Sequence, residues 1–207
     1  SSQDLQQASL ELDAYRQENS DRVPKAKNVP LYEGAPMGVV VYAVVLIVIF
    51  AFADLQVYGV HWKQAGGMLA GKVMVGEWWR TVTALTLHVD TGHILSNLAF
   101  GVVFGLFAGR ILGGGVAWLA IVIAGALGNF MNAVVQDPSH SSIGASTAVF
   151  AALGVIVAHA LRPRSPTNEK WFRRWSPLIC GVVLLAFTGV GGERTDVTAH
   201  ATGFLAG

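Results

Sequence analysis

Long apolar stretches separated by short polar ones organise this chain. Apolar runs occupy residues 37–53, roughly 93–108, 115–135, 144–161 and 177–190, and a last run opens at 198 and continues to 207. A helix needs about 20 predominantly apolar residues to cross a bilayer, and most of these runs approach that length. They do not alternate with the two-residue period of barrel strands, and backbone groups facing lipid must be satisfied within their own segment. The predicted architecture is therefore an all-α, polytopic six-helix transmembrane bundle. The run 198–207 is too short for a span, so the sequence as given is expected to be truncated inside its last helix. Residues 1–36 are polar and are expected to form a cytoplasmic N-terminal tail, leaving 37–207 as the membrane domain.

Composition strengthens this reading. Charged residues make up 13% of the 207, about half the usual share in soluble proteins, and 53% are hydrophobic. The lipid bilayer is the expected surrounding. The formal net charge is only +1 and no basic stripe is interleaved with aromatics, so no nucleic acid partner is expected. Cys180 is the single cysteine and lies in an apolar run, which leaves neither an internal disulfide nor a zinc cluster.

Orientation follows from the basic residues. Arg16, Arg22, Lys25, Lys27, Arg110, Arg162, Arg164, Lys170, Arg173 and Arg174 fall on one side of the predicted spans, against Lys63, Lys72, Arg80 and Arg194 on the other. The positive-inside rule then puts the N-terminus in the cytoplasm. The long segment from about Asp54 to Gly92 lies outside, with Trp62, Trp78 and Trp79 suited to the interface.

With that topology the second, fourth and sixth spans all run inward from the outer surface, and their first turns share one depth. Those turns carry His93 and Asn97, Ser146, and His200. His93 and Asn97 are one helical turn apart on one face. No Asp, Glu, Lys or Arg falls within the six runs, which argues against an ion-coupled transporter or channel. A hydroxyl, two imidazoles and a carboxamide are instead the inventory of acyl transfer. Gly101, Gly105 and Gly109, and Ala199, Gly203 and Gly207, recur at four-residue spacing and suit close helix packing, with Ser146, Phe150 and Gly154 marking one possible contact face. The plain alternatives are a serine that caps its helix and an Asn or His that makes interhelical hydrogen bonds. Asn129, Asn132 and His159 are assigned to that second class or to the interface.

These residues resemble the rhomboid intramembrane serine proteases over 37–207. EWWRTVTALTLH contains Trp79 and Arg80 in the places of that family's tryptophan-arginine motif, and HVDTGHILSN carries the second-span pair His93 and Asn97. Gly144, Ala145 and Ser146 resemble the nucleophile motif, and AHATGFLAG resembles the last-span motif, with His200 followed by Gly203. One departure is Thr147, where many members have glycine.

The resemblance implies an intramembrane serine endopeptidase with no cofactor and no metal, acting on single-span membrane proteins near the outer face. His200 would take the proton of Ser146, and an acyl-enzyme would form. His93, Asn97 and the backbone N–H of Ser146 would meet the oxyanion. Trp79, Arg80, Gly144 and Gly203 would be structural, and His88 structural or water-handling. Asp196 either caps the last helix or orients His200. The family also implies a movable cap in the loop Gly191–Val197, a lateral gate at span five, and a site opening to the extracytoplasmic side, as of a bacterial inner membrane. A catalytically silent relative is the nearest rival, but such relatives characteristically lose the serine or the histidine. A zinc protease is remote, because no histidine pair has the HExxH spacing.

Overall fold

A computed structural model of the chain describes residues 2–19, 31–162, 171–189 and 195–207. The chain divides at Pro30 into two units. The first is one polar helix, α1 (Ser2–Glu18), exposed along its length, with Asn19 Nδ2 donating to the Tyr15 carbonyl at 2.7 Å across its last turn.

The second unit begins with α2 (Ala35–Asp54), whose proline in the first turn has the φ a helix start needs. α2 buries only Ala35 and Leu46. Three short helices follow, α3 (Trp62–Gly66), α4 (Ala70–Met74) and α5 (Arg80–Thr83). Then come α6 (Thr91–Leu112), α7 (Gly114–Val135), α8 (Ser146–Leu161), α9 (Trp171–Gly189) and α10 (Val197–Ala206). By length and composition α2, α6 and α7 can each cross a membrane, and α8 is apolar but shorter, at 16 residues.

α8 is the centre of the unit. It buries Thr147 through Gly154 and Val157, which accounts for a helix apolar on every side. α10 packs closely on both α8 and α7. A Cβ on Gly203 would collide with the Thr147 carbonyl, so glycine there is what allows backbone to meet backbone. Backbone contact between α8 and α10 runs along Thr147, Ala151 and Gly154, and of the face suggested by the sequence, Ser146, Phe150 and Gly154, the last two meet α10, Phe150 through the His200 ring. On the other side, Gly101 and Gly105 of α6 lie against the rings of Tyr42 and Trp118, which stack with centroids 4.9 Å apart.

The segment between α2 and α6 buries a small apolar cluster, Met68, Ala70, Val73 and Ala84 with Ala133 of α7, and polar bonds lace it together. Buried Arg80 donates from Nη1 to the carbonyls of Gln64 and Gly67 and pairs through Nε with Glu77. Thr83 Oγ1 donates to the Gly66 carbonyl at 2.6 Å. This segment also forms β1 (Met68–Leu69), antiparallel to β2 (Ser141–Ser142), with Met68 opposite Ser142 and Leu69 opposite Ser141.

Candidate active site

The candidate catalytic and oxyanion residues His93, Asn97, Ser146 and His200 lie in the first two turns of α6, α8 or α10. Local sequence explains how two of those helices begin. Asp90 is the N-cap of α6, accepting the His93 N–H at 2.9 Å, and Asp196 is the N-cap of α10, accepting the Ala199 N–H at 3.0 Å. α8 begins differently. Its N-cap is Ala145, no side chain caps it, and Ser146 is its first residue. The first bond of this helix is Val149 N–H to the Ala145 carbonyl, so the N–H groups ahead of Val149 have no partner within the helix. The plain reading of Ser146 as a capping serine therefore does not describe this helix.

The approach to Ser146 is tightly framed. Gly144 has φ +140°, a region that L side chains avoid, and a Cβ there would lie 2.7 Å from the His93 imidazole and 3.5 Å from Asn97 Nδ2. The glycine of the motif thus lets the loop pass directly over the two α6 side chains. Its N–H donates to the Ala84 carbonyl at 2.9 Å. The preceding residues are stitched to the α4 region by Ala70 N–H to the His140 carbonyl and Gly71 N–H to the Pro138 carbonyl.

Asn97 is buried, and its Nδ2 is among the described buried atoms that have no hydrogen-bond partner. A buried amide donor left free at this spot is an available donor beside the start of α8. Its carbonyl oxygen on the main chain accepts from Tyr42 Oη at 2.7 Å, which ties α6 to α2.

His200 lies one turn into α10 and is buried, and its N–H donates to the Asp196 carbonyl. Its ring lies against Phe150, with centroids 4.5 Å apart and planes inclined at 35°. Phe150 is one turn below Ser146 on the same face of α8. The imidazole is therefore held on the side of α8 that carries Ser146. Thr147 is fully buried, its methyl group facing Gly203 and Gly128, so the departure from the family's usual glycine is absorbed in the α7–α8–α10 packing.

Three features named from the sequence gain partners here that the sequence did not show, and the interhelical bonds expected of Asn129 and Asn132 are present. His88 is completely buried, edge-on to His93, and its Nε2 accepts the Ala145 N–H at 3.4 Å. Burial, with the nearby His93 and Lys63, lowers its pKa to about 4, so the ring is neutral at pH 7 and able to accept. Asp196 does more than cap, since its Oδ2 also takes bonds from Asn132 Nδ2 and His140 Nε2, both at 2.8 Å. Burial alone would raise this carboxyl; the bonds from Ala199, His140, Ser142 and Asn132 outweigh it and hold the pKa below the ordinary value. Asn129 Nδ2 bonds the Thr81 carbonyl, so both α7 asparagines serve contacts between elements. The loop expected to act as a cap, Gly191–Val197, includes residues 191–194, which lie outside the described residues.

An all-helical membrane unit with a serine at an uncapped helix start and a histidine packed on the same helix defines a class of protein, and sequence comparison agrees with it. Residues 75–207, well over half of the chain, match the Rhomboid domain, and the chain belongs to that family. It is 29% identical over 148 residues to Rhomboid-like protease 2 of Toxoplasma gondii, covering 69% of this chain and 50% of that protein. It is 27% identical over 132 residues to the putative rhomboid protease YdcA of Bacillus subtilis, covering 64% and 65%. Rhomboid protease GlpG of Haemophilus influenzae is 26% identical over 135 residues, 63% of this chain and 67% of that protein. The chain spans about half the length of the Toxoplasma relative and about two thirds of the two bacterial ones.

Proposed function

We propose that this chain is the catalytic unit of an intramembrane serine endopeptidase that cleaves single-span membrane proteins near the outer membrane face. The observation that carries the reading is the start of α8, where an uncapped helix end, Ser146 and the free amide of Asn97 converge. A helix N-terminus favours developing negative charge, and preorganised donors act on the oxyanion without reorganising. His200 in its neutral form takes the Ser146 proton as Oγ attacks the scissile carbonyl. The Ser146 N–H and the side chains of Asn97 and His93 receive the oxyanion. The imidazolium then protonates the leaving amine, and water releases the acyl group. Support also comes from the Rhomboid domain match and from relatives whose names denote proteases. Six spans, a cytoplasmic N-terminus and a site opening outward complete the proposal, supported by the distribution of basic residues.

The test is a fluorophosphonate probe on the detergent-solubilised protein, paired with cleavage of a single-span model substrate in proteoliposomes. Labelling and cleavage that vanish in Ser146→Ala are the expected result. Neither labelling nor cleavage by the unaltered protein would overturn the proposal in favour of a silent relative.

A further inference from the structure

One carboxylate serves three parts of the chain at once. Asp196 Oδ1 accepts the Ala199 N–H within α10, whereas Oδ2 is shared by Asn132 Nδ2, from the last turn of α7, and by His140 Nε2, from the loop that leads to Ser146. A helix cap needs only one acceptor oxygen. The other contacts come from outside the helix and are charge-assisted, at distances typical of the stronger class. Both His140 and Asp196 are largely shielded from solvent, their side chains 27% and 17% exposed. His140 is itself fixed, because its carbonyl accepts the Ala70 N–H and its N–H donates to the Asp137 carbonyl.

We infer that Asp196 is a positioning residue that cross-links the Ser146 loop to the His200 helix through His140 and Asn132, and so sets the separation of nucleophile and base. The inference rests on the protease reading above. It gives Asp196 a role other than the orienting acid of a triad, since its bonds run to Ala199, Asn132 and His140. A misplacement of about 1 Å between reacting groups can cost on the order of 10²-fold in rate, so a link of this kind is felt in the chemical step.

Asp196→Asn separates the two roles. The amide oxygen can still cap Ala199, but its NH₂ would face the donors of Asn132 and His140. His140→Ala cuts the link from the other side without touching the cap. The experiment measures fluorophosphonate labelling rates, kcat and KM for a single-span substrate, and thermal unfolding, for the full-length protein, each single variant and the double variant. The expected result is labelling slowed by about 10-fold to 100-fold in each single variant, carried by kcat with KM nearly unchanged. The double variant should be no slower than the slower single one, because both remove the same link. Asp196→Asn or His140→Ala labelling at the unaltered rate overturns the inference, as does a double variant whose losses multiply. If the unaltered protein is not labelled at all, the protease reading falls and takes the inference with it; normal labelling with unaffected variants removes only the cross-link.

Discussion

The α8–α10 seam and the α2 flank are both built mainly from apolar residues and could hardly be packed more differently. Along the seam, backbone meets backbone: Gly203 lies on the Thr147 carbonyl, and α8 buries every residue from Thr147 to Gly154. α2 buries two residues, and beside it a cavity of about 470 Å³ opens between Val41, Val45, Leu85, Trp118 and Ala145. That volume is about three times that of an engineered cavity that admits one benzene. The difference teaches where positional accuracy is stored. The helices that carry two candidate catalytic groups are held by a contact with no side-chain slack, while the α2 flank is left loose.

The largest effects should come from the groups the seam brings together. If Ser146 and His200 act as a unit, as proposed, Ser146→Ala and His200→Ala should each lower kcat/KM by on the order of 10⁴-fold or more, and the double variant should be little worse than either. Asn97→Ala should cost about 10² to 10³ in the acylation rate, as expected for one oxyanion donor. Its thermal stability should stay close to that of the unaltered protein, since the amide Nδ2 has no partner to lose and the bond from Tyr42 goes to the main chain. A large fall in stability without loss of rate would make Asn97 a packing residue instead.

Gly203→Val tests the seam itself. A side chain there must push α10 off the Thr147 carbonyl, and overpacking of this kind costs about 1–3 kcal/mol. Thermal unfolding should register that loss, and labelling of Ser146 should fall with it. Labelling that persists in a destabilised variant would show that the dyad tolerates slack after all.

How much of this was readable beforehand depended on the physical origin of each feature. The helices were legible because lipid imposes long apolar runs, and counting helices was enough to nominate Asn97, Ser146 and His200 together; the Gly144 backbone beside Asn97 and the His200 ring on Phe150 are what the structure adds. Gly144 and Gly203 could be located as motif positions, but their reasons, a φ of +140° under His93 and a carbonyl contact, exist only in three dimensions. The β1–β2 ladder was invisible because two-residue strands have no period. The His140–Asp196 link was hidden for the related reason that its partners are far apart in sequence and each has an ordinary local role.

Acid should act on the site side before the flank. Burial lowers the His88 pKa to about 4, so from about pH 6.5 down to about 4 the unfolded chain takes up a proton that the folded chain refuses. Stability is thus lost as pH falls through that window. Asp196 adds a second loss at lower pH, because its folded pKa is depressed: its contribution is present above the ordinary carboxylate value and disappears as pH drops through the folded one. Thermal unfolding followed from pH 7 to pH 4.5 should show a decline that flattens in His88→Gln, whose amide oxygen can still accept the Ala145 N–H. An identical decline in that variant would assign the acid sensitivity elsewhere.

The smallest effect is expected on the flank, and it is the sharpest check on the contrast. Val45 lines the cavity, so Val45→Leu adds a methylene group where space exists. In water, burying that group would contribute about 0.8 kcal/mol. In a bilayer it exchanges contact with lipid tails for contact with protein, and tails are as apolar as leucine, so most of the gain disappears. Melting temperature and labelling rate should both stay near those of the unaltered protein. A route by which they could change does exist, because Tyr42 lines the same cavity and its hydroxyl bonds the Asn97 carbonyl. A several-fold change in labelling with no change in melting would mean that packing at α2 reaches the oxyanion donors through Tyr42, and the flank would then belong to the site.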